Sequence, residues 1–175
     1  MSKYDIICIP DAVLKERANE IGDVNDDIRK QMDNMLETMY DAPGIGLAAN
    51  QVNMLNRVLV MDLDYRDDDN QKNPICMANP EIIWKSEEMS VMEEGCLSIP
   101  NQYGKVERPA VVRVKYLDYD GKEAELEASE LLSHCVQHEI DHLNGVLFID
   151  YLSKLKRDMI IRKVEKMNKA SGGIL

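Results

Sequence analysis

No apolar run in the chain approaches the ~20 residues that a membrane-spanning helix needs, so a membrane protein is not expected. CxxC pairs are also missing. The cysteines stand far apart at 8, 76, 96 and 135, without the framework of a small disulfide-stapled domain. Reduced thiols and a cytoplasmic location are the expectation. The first residues lack the basic region and long apolar core of a secretory signal, and Ile6-Ile7-Cys8-Ile9, between Asp5 and Pro10, reads as a strand. Positive charge is short: 21 Lys and Arg against 32 Asp and Glu leave a formal net charge of −11, which argues against a chain that coats nucleic acid. No repeat, low-complexity tract or linker interrupts the 175 residues. With 45% apolar and 30% charged residues, one globular domain over 1–175, acting as a monomer, is expected.

What is present reads as short elements in turn. Asn25 can cap a helix whose first turn holds Asp26 and Asp27. Ile28, Met32, Met35, Leu36 and Met39 follow at helical spacing, and Pro43-Gly44 ends the run. Residues 57–62 read as a strand. The acidic stretch 62–73 reads as a solvated loop and not as an EF-hand, because Asp67 stands where a Gly is needed and Asn73 where a Glu is needed. Residues 81–84 and 87–92 look like short strands. Residues 111–119 alternate, Asp120-Gly121 marks a hairpin turn, and 123–127 return. Ser129 can cap a helix that stops at Asn144-Gly145, and a last helix is expected over about 153–169. The fold class is therefore α+β: short, mostly antiparallel strands packed around one central helix, with a C-terminal helix.

The central helix contains His138-Glu139-Ile140-Asp141-His142, a motif that holds two of the chain's three histidines. Imidazoles four residues apart share a helix face and can hold one divalent metal, and the Glu between them can move a proton. Leu132, Val136, Ile140 and Leu143 form an apolar stripe on a neighbouring face, so the helix packs with one side and presents ligands with another. A third ligand is needed. His134 lies eight residues from His142, or ~12 Å along the axis at ~1.5 Å per residue, which is far for bonds of ~2.0–2.3 Å. Packing or a place at a pocket rim suits it better, and Cys135 reads as a small buried side chain. Cys96 in Glu94-Gly95-Cys96-Leu97-Ser98 is the strongest candidate; the competing reading is a buried free thiol. A metzincin would need a histidine where Phe148 stands. Glu165, between Lys163 and Lys166, reads as part of a solvated face.

Three stretches in order, Gly44-Ile-Gly-Leu-Ala-Ala-Asn-Gln51, Glu94-Gly-Cys-Leu-Ser98 and Gln137-His-Glu-Ile-Asp-His142, resemble the peptide deformylase family over essentially the whole chain. Asn50 departs from the proline frequent in that family. The resemblance implies Cys96, His138 and His142 as metal ligands, with water in the open fourth position. It implies ferrous iron as the native metal, often replaced by zinc, nickel or cobalt in preparations, and an activity sensitive to oxygen. The implied reaction hydrolyses the N-formyl group of the formyl-Met that begins nascent polypeptides. Glu139 would serve as general base and acid, with Gln51 and the Leu97 backbone N–H as oxyanion donors. Gly46 and Gly95 would allow the substrate backbone to pass. The Met side chain would enter a pocket near Ile45, Leu131 and Cys135, with Arg108 at its rim. A zinc peptidase of another HExxH class would need its own third ligand, and a non-catalytic metal-binding protein would need neither Glu139 nor Gln51.

Residues 151–175 carry seven basic side chains (Lys154, Lys156, Arg157, Arg162, Lys163, Lys166, Lys169) against Asp158 and Glu165. In an acidic chain this suggests a docking element for the ribosome, beside the reading of a solvated helix face. Neither DNA nor a membrane is an expected partner.

Overall fold

The computed structural model describes residues 2–66 and 71–170. Its architecture is α+β, as the pattern predicts. Among the described residues seven strands run Gly46–Ala48 (β1), Val58–Met61 (β2), Ile75–Lys85 (β3), Met89–Cys96 (β4), Ile99–Pro109 (β5), Val111–Leu117 (β6) and Glu123–Ser129 (β7). Helices span Asp26–Asp41 (α1), Glu130–Leu143 (α2) and Lys154–Ala170 (α3). Five strands form one antiparallel sheet in the order β1-β2-β3-β6-β7, while β4 and β5 pair as a separate hairpin.

Strand β2 shows why the layers stack as they do. Its four residues are all buried, and successive side chains leave opposite faces of the sheet. Leu59 and Met61 pack with Met77, Val112 and Val114 against Val136, Ile140 and Leu143 of α2. Val58 and Val60 pack with Met32, Met35 and Met39 of α1 on the other side. The sheet therefore lies between the two helices. A third core joins Ile160 and Val164 of α3 to Leu14, Phe148, and Ile99 and Val106 of β5. This cluster is what fixes the β4–β5 hairpin in place.

Helix boundaries follow local chemistry. The Asn25 side chain accepts from the Ile28 N–H at 3.0 Å, and Asp26 and Asp27 face the positive end of the α1 dipole. Ser129 occupies the corresponding position before α2 but makes no side-chain bond to it; Glu130 has φ of 55° instead of helical backbone. At the other end Gly145 has φ of 76°, and a Cβ there would lie 2.4 Å from the Lys15 carbonyl oxygen. Only glycine fits.

Three expectations are corrected. Residues 6–9 form no strand; they are extended and held by backbone bonds from Ile7 N–H to the Gln51 carbonyl (2.7 Å) and from Ile9 N–H to the Ser98 carbonyl (3.0 Å). Strand β3 begins at Ile75, not 81, because Asn79-Pro80 is absorbed as a bulge: Asn79 takes φ of 49° and the register with β6 shifts between Ala78 and Glu81. Asp62, expected in a solvated loop, is fully buried and accepts from the Tyr40 hydroxyl (2.6 Å) and the Asn73 N–H (2.8 Å), which closes the loop's base. The middle of that loop, 67–70 with Asp67, lies outside the described residues. Among the described residues no helix is long and apolar enough to cross a membrane.

Leu143 is fully buried between α2 and the sheet, whereas Leu155 on α3 is 69% exposed. Urea denaturation should find that Leu143→Ala costs about 2–5 kcal/mol. Leu155→Ala should stay within about 0.5 kcal/mol. Equal costs would contradict this placement of the core.

Candidate metal centre and active site

Helix α2 enters the interior with both faces covered. Ten of its fourteen residues are buried, His134, His138, Glu139 and His142 among them. The Nε2 atoms of His138 and His142 lie 3.2 Å apart. Strand β4 ends opposite them at Cys96, where the register with β5 slips after Gly95, and the Cys96 Sγ lies 3.3 Å from His142 Nε2. The three donor atoms all fall within 4.8 Å of one another. Around one metal with bonds of ~2.0–2.3 Å, tetrahedral ligands sit roughly 3.3–3.8 Å apart, close to these spacings.

The protonation pattern fits a cation as well. Glu94 Oε1 lies 3.0 Å from His138 Nδ1, and a carboxylate can only accept, so that nitrogen bears the proton. A lone pair on Nε2 is left facing the His142 ring. Burial alone would lower the His138 pKa, but the charge on Glu139 and the bonds to Cys96 and Glu94 raise it well above its ordinary value. Burial, then the charge of His138, push His142 well below it. Without a metal, a proton on His138 would occupy the space between the two rings that a cation needs. Phe148, which stands in the metzincin histidine position, packs its ring parallel to His138 at 6.1 Å.

Glu94 is the residue that sequence reasoning missed. Its Oε1 accepts from Arg108 Nη2 (2.9 Å) and His138 Nδ1, and its Oε2 from Arg108 Nε (2.7 Å) and His134 Nδ1 (2.9 Å). Burial by itself would raise this carboxyl, but Arg108 and His138 hold it well below the usual carboxylate range. Arg108 also donates to Asp141 at 2.8 Å, which accepts in turn from the Tyr151 hydroxyl. Arg108 is thus not at a pocket rim; it is 3% exposed and anchors the ligand network from behind. The available signal was Glu94's place two residues from Cys96, the spacing that puts both side chains on one face of a strand.

The remaining groups face a cavity of about 740 Å³. Ile45, Gly46, Gly95, Leu131 and Cys135 line it, together with Gln51, Cys96, Leu97, His138 and Glu139. Glu139 is 4% exposed, and burial pushes its carboxyl up to about 7 against the opposing pull of His138. Its Oε1 has no hydrogen-bond partner among the described residues. A Cβ on Gly46 would lie 2.5 Å from Glu139 Oε2, so this glycine makes room for the carboxylate. Gln51 is clamped in one orientation: the Ala48 N–H donates to its Oε1 at 3.0 Å, which leaves the amide nitrogen 3.1 Å from Ser98 Oγ and 3.5 Å from Cys96 Sγ.

A family model described as polypeptide deformylase matches residues 3–158. A peptide deformylase of Methylocella silvestris is 58% identical over 94% of this chain and 84% of its own length. The crystal structure of peptide deformylase from Ehrlichia chaffeensis superposes with a TM-score of 0.92 at 41% identity, covering 97% of this chain and 99% of that one. A crystal structure from the same organism, in complex with actinonin, gives 0.90 at 43% identity over 95% of this chain and 98% of that one.

Glu94→Gln replaces an acceptor for four N–H groups with an amide that brings its own donor. Competition with a chelator should show metal affinity reduced roughly 10–100-fold. Unchanged affinity in a folded variant would remove Glu94 from the ligand network.

Proposed function

The chain belongs to the peptide deformylase family, whose members are enzymes that deformylate nascent chains, and on that premise we propose which of its residues perform this hydrolysis. Cys96, His138 and His142 hold one divalent metal. Glu139, Gln51 and the Leu97 backbone N–H act on the formyl amide of an N-terminal formyl-Met. The observation that carries this reading is the convergence of the three donor atoms within 4.8 Å beside a buried carboxylate and an oriented amide.

A divalent metal held by Cys96, His138 and His142 would supply Lewis acidity toward a carbonyl and toward water. The protein's own groups do the rest. Glu139, buried beside the candidate ligands, takes a proton from the attacking water. The water oxygen bonds to the formyl carbon. As the carbonyl oxygen gains charge, the Gln51 amide and the Leu97 N–H donate to it. Glu139 then passes its proton to the departing nitrogen as the C–N bond breaks, giving formate and a free amine. Ile45, Leu131 and Cys135 supply the apolar wall that receives the Met side chain, and Gly46 and Gly95 border the path of the substrate backbone.

The one-thiolate, two-imidazole set is compatible with zinc, nickel and cobalt, and we take ferrous iron as the working metal. The four free cysteines support a reducing cytoplasm as the location. We read the chain as a single-domain monomer over 1–175. Docking to the ribosome falls to the exposed face of α3, with Lys154, Lys156, Arg162, Lys163, Lys166 and Lys169. Removing this helix would also remove Ile160 and Val164 from the third core, so truncation cannot isolate the surface.

Anaerobic, iron-loaded protein should release formate from a formyl-Met peptide. Glu139→Ala should keep its metal and lose at least about 10²-fold in rate. A fully active Glu139→Ala variant would sink the mechanism. Cleavage of unformylated peptides instead would point to a peptidase.

Combined Arg162→Glu, Lys163→Glu and Lys166→Glu should weaken salt-sensitive ribosome association several-fold while formate release from a short peptide stays the same. Unaltered association would return α3 to a solvated face.

A further inference from the structure

His134 is the third histidine of the chain, and the hydrolysis described above does not use it. It is 2% exposed, one turn before His138 on α2, and it borders the cavity. Its Nδ1 is 2.9 Å from Glu94 Oε2, and its Nε2 is 3.3 Å from Ser90 Oγ. Because the Glu94 carboxylate only accepts, Nδ1 bears the proton and Nε2 can accept from the Ser90 hydroxyl. Every atom of the imidazole with hydrogen-bonding capacity is therefore assigned.

A carboxylate offers about four lone-pair sites. In Glu94 all are taken: Oε1 by Arg108 and His138, Oε2 by Arg108 and His134. His134 and His138 thus grip the two oxygens of one carboxylate from successive turns of one helix. The next turn continues the ladder, since His138 and His142 face each other through Nε2. Without His134 the Glu94 Oε2 would keep only Arg108. The carboxylate could then tilt out of the guanidinium plane, and Oε1 is the atom that fixes the ring and tautomer of His138. We propose that His134 is a positioning residue for the metal centre: through Glu94 it orients His138, and Ser90 orients it in turn.

This inference rests on Cys96, His138 and His142 being the metal ligands. The test compares three variants with the parent in chelator competition for cobalt and in the ligand-field absorption of the cobalt-loaded protein, with thermal melts as a check on folding. His134→Asn places an amide N–H near the position of Nδ1 and keeps the donor to Glu94. His134→Leu keeps bulk and burial but has no donor. Positioning requires the Leu variant to lose cobalt affinity about tenfold or more with a shifted absorption band, and the Asn variant to recover most of both. A packing role requires the reverse order, with Leu equal to parent. That order would overturn the proposal, as would variants that both match the parent. Ser90→Ala, at a half-buried strand position, leaves His134 in place and should weaken cobalt binding in the same direction by a smaller factor. If neither His134 variant folds, Ser90→Ala decides: affinity and band identical to the parent overturn the proposal. A parent that takes up no stoichiometric cobalt overturns the ligand assignment instead.

Discussion

The buried carboxylate of Glu94 connects the two halves of the site. It comes from the β4–β5 hairpin, which does not pair with the main sheet, and it reaches across to α2. A charge so deeply buried persists only when its partners satisfy it, and here Arg108 supplies the opposite charge while two imidazoles fill the remaining sites. Removing the carboxylate would leave its partners buried and unsatisfied. The geometry of His138, and through it the spacing to His142 and Cys96, is therefore set by an ion pair that touches no reacting atom.

The second constraint is the burial of α2 from Ser133 onward. Val136, Ile140 and Leu143 pack on the sheet, while the histidines and Glu139 face the hairpin and the cavity. Burial is what lifts the Glu139 carboxyl towards neutrality, so the packing of the helix and the chemistry of its polar face have the same cause. Gly46 expresses this on β1, where the backbone approaches so closely that the carboxylate occupies the space of a side chain.

Elements set by local chemistry were legible in the sequence. The Asn25 cap, the β6–β7 alternation around Asp120-Gly121 and the stop at Gly145 each depend on a few neighbouring residues, and each fell where the pattern put it. Features set by distant partners were not. Asn79-Pro80 reads as a break, yet pairing with β6 carries the strand through it. Asp62 looks solvated until Tyr40, twenty-two residues earlier, is found above it. At the site the spacing of His138 and His142 was visible, and Cys96 could be nominated only from its setting. Arg108 was expected at the pocket rim and is buried instead, because a lone arginine in a strand carries no mark of the carboxylate it will meet.

The donor residues also come from elements anchored in different cores. Cys96 packs with the third cluster, around α3 and β5, whereas α2 packs its apolar face in the first, against the sheet, with His138 reaching Phe148 of the third. A cation bound by all three would add a cross-link between the two. By mass action, its binding free energy adds to the folding of the whole chain for as long as the unfolded chain binds it poorly. Such an enzyme would be most vulnerable to proteolysis when newly made and metal-free, and its cellular lifetime would then report the supply of metal as much as the strength of its packing.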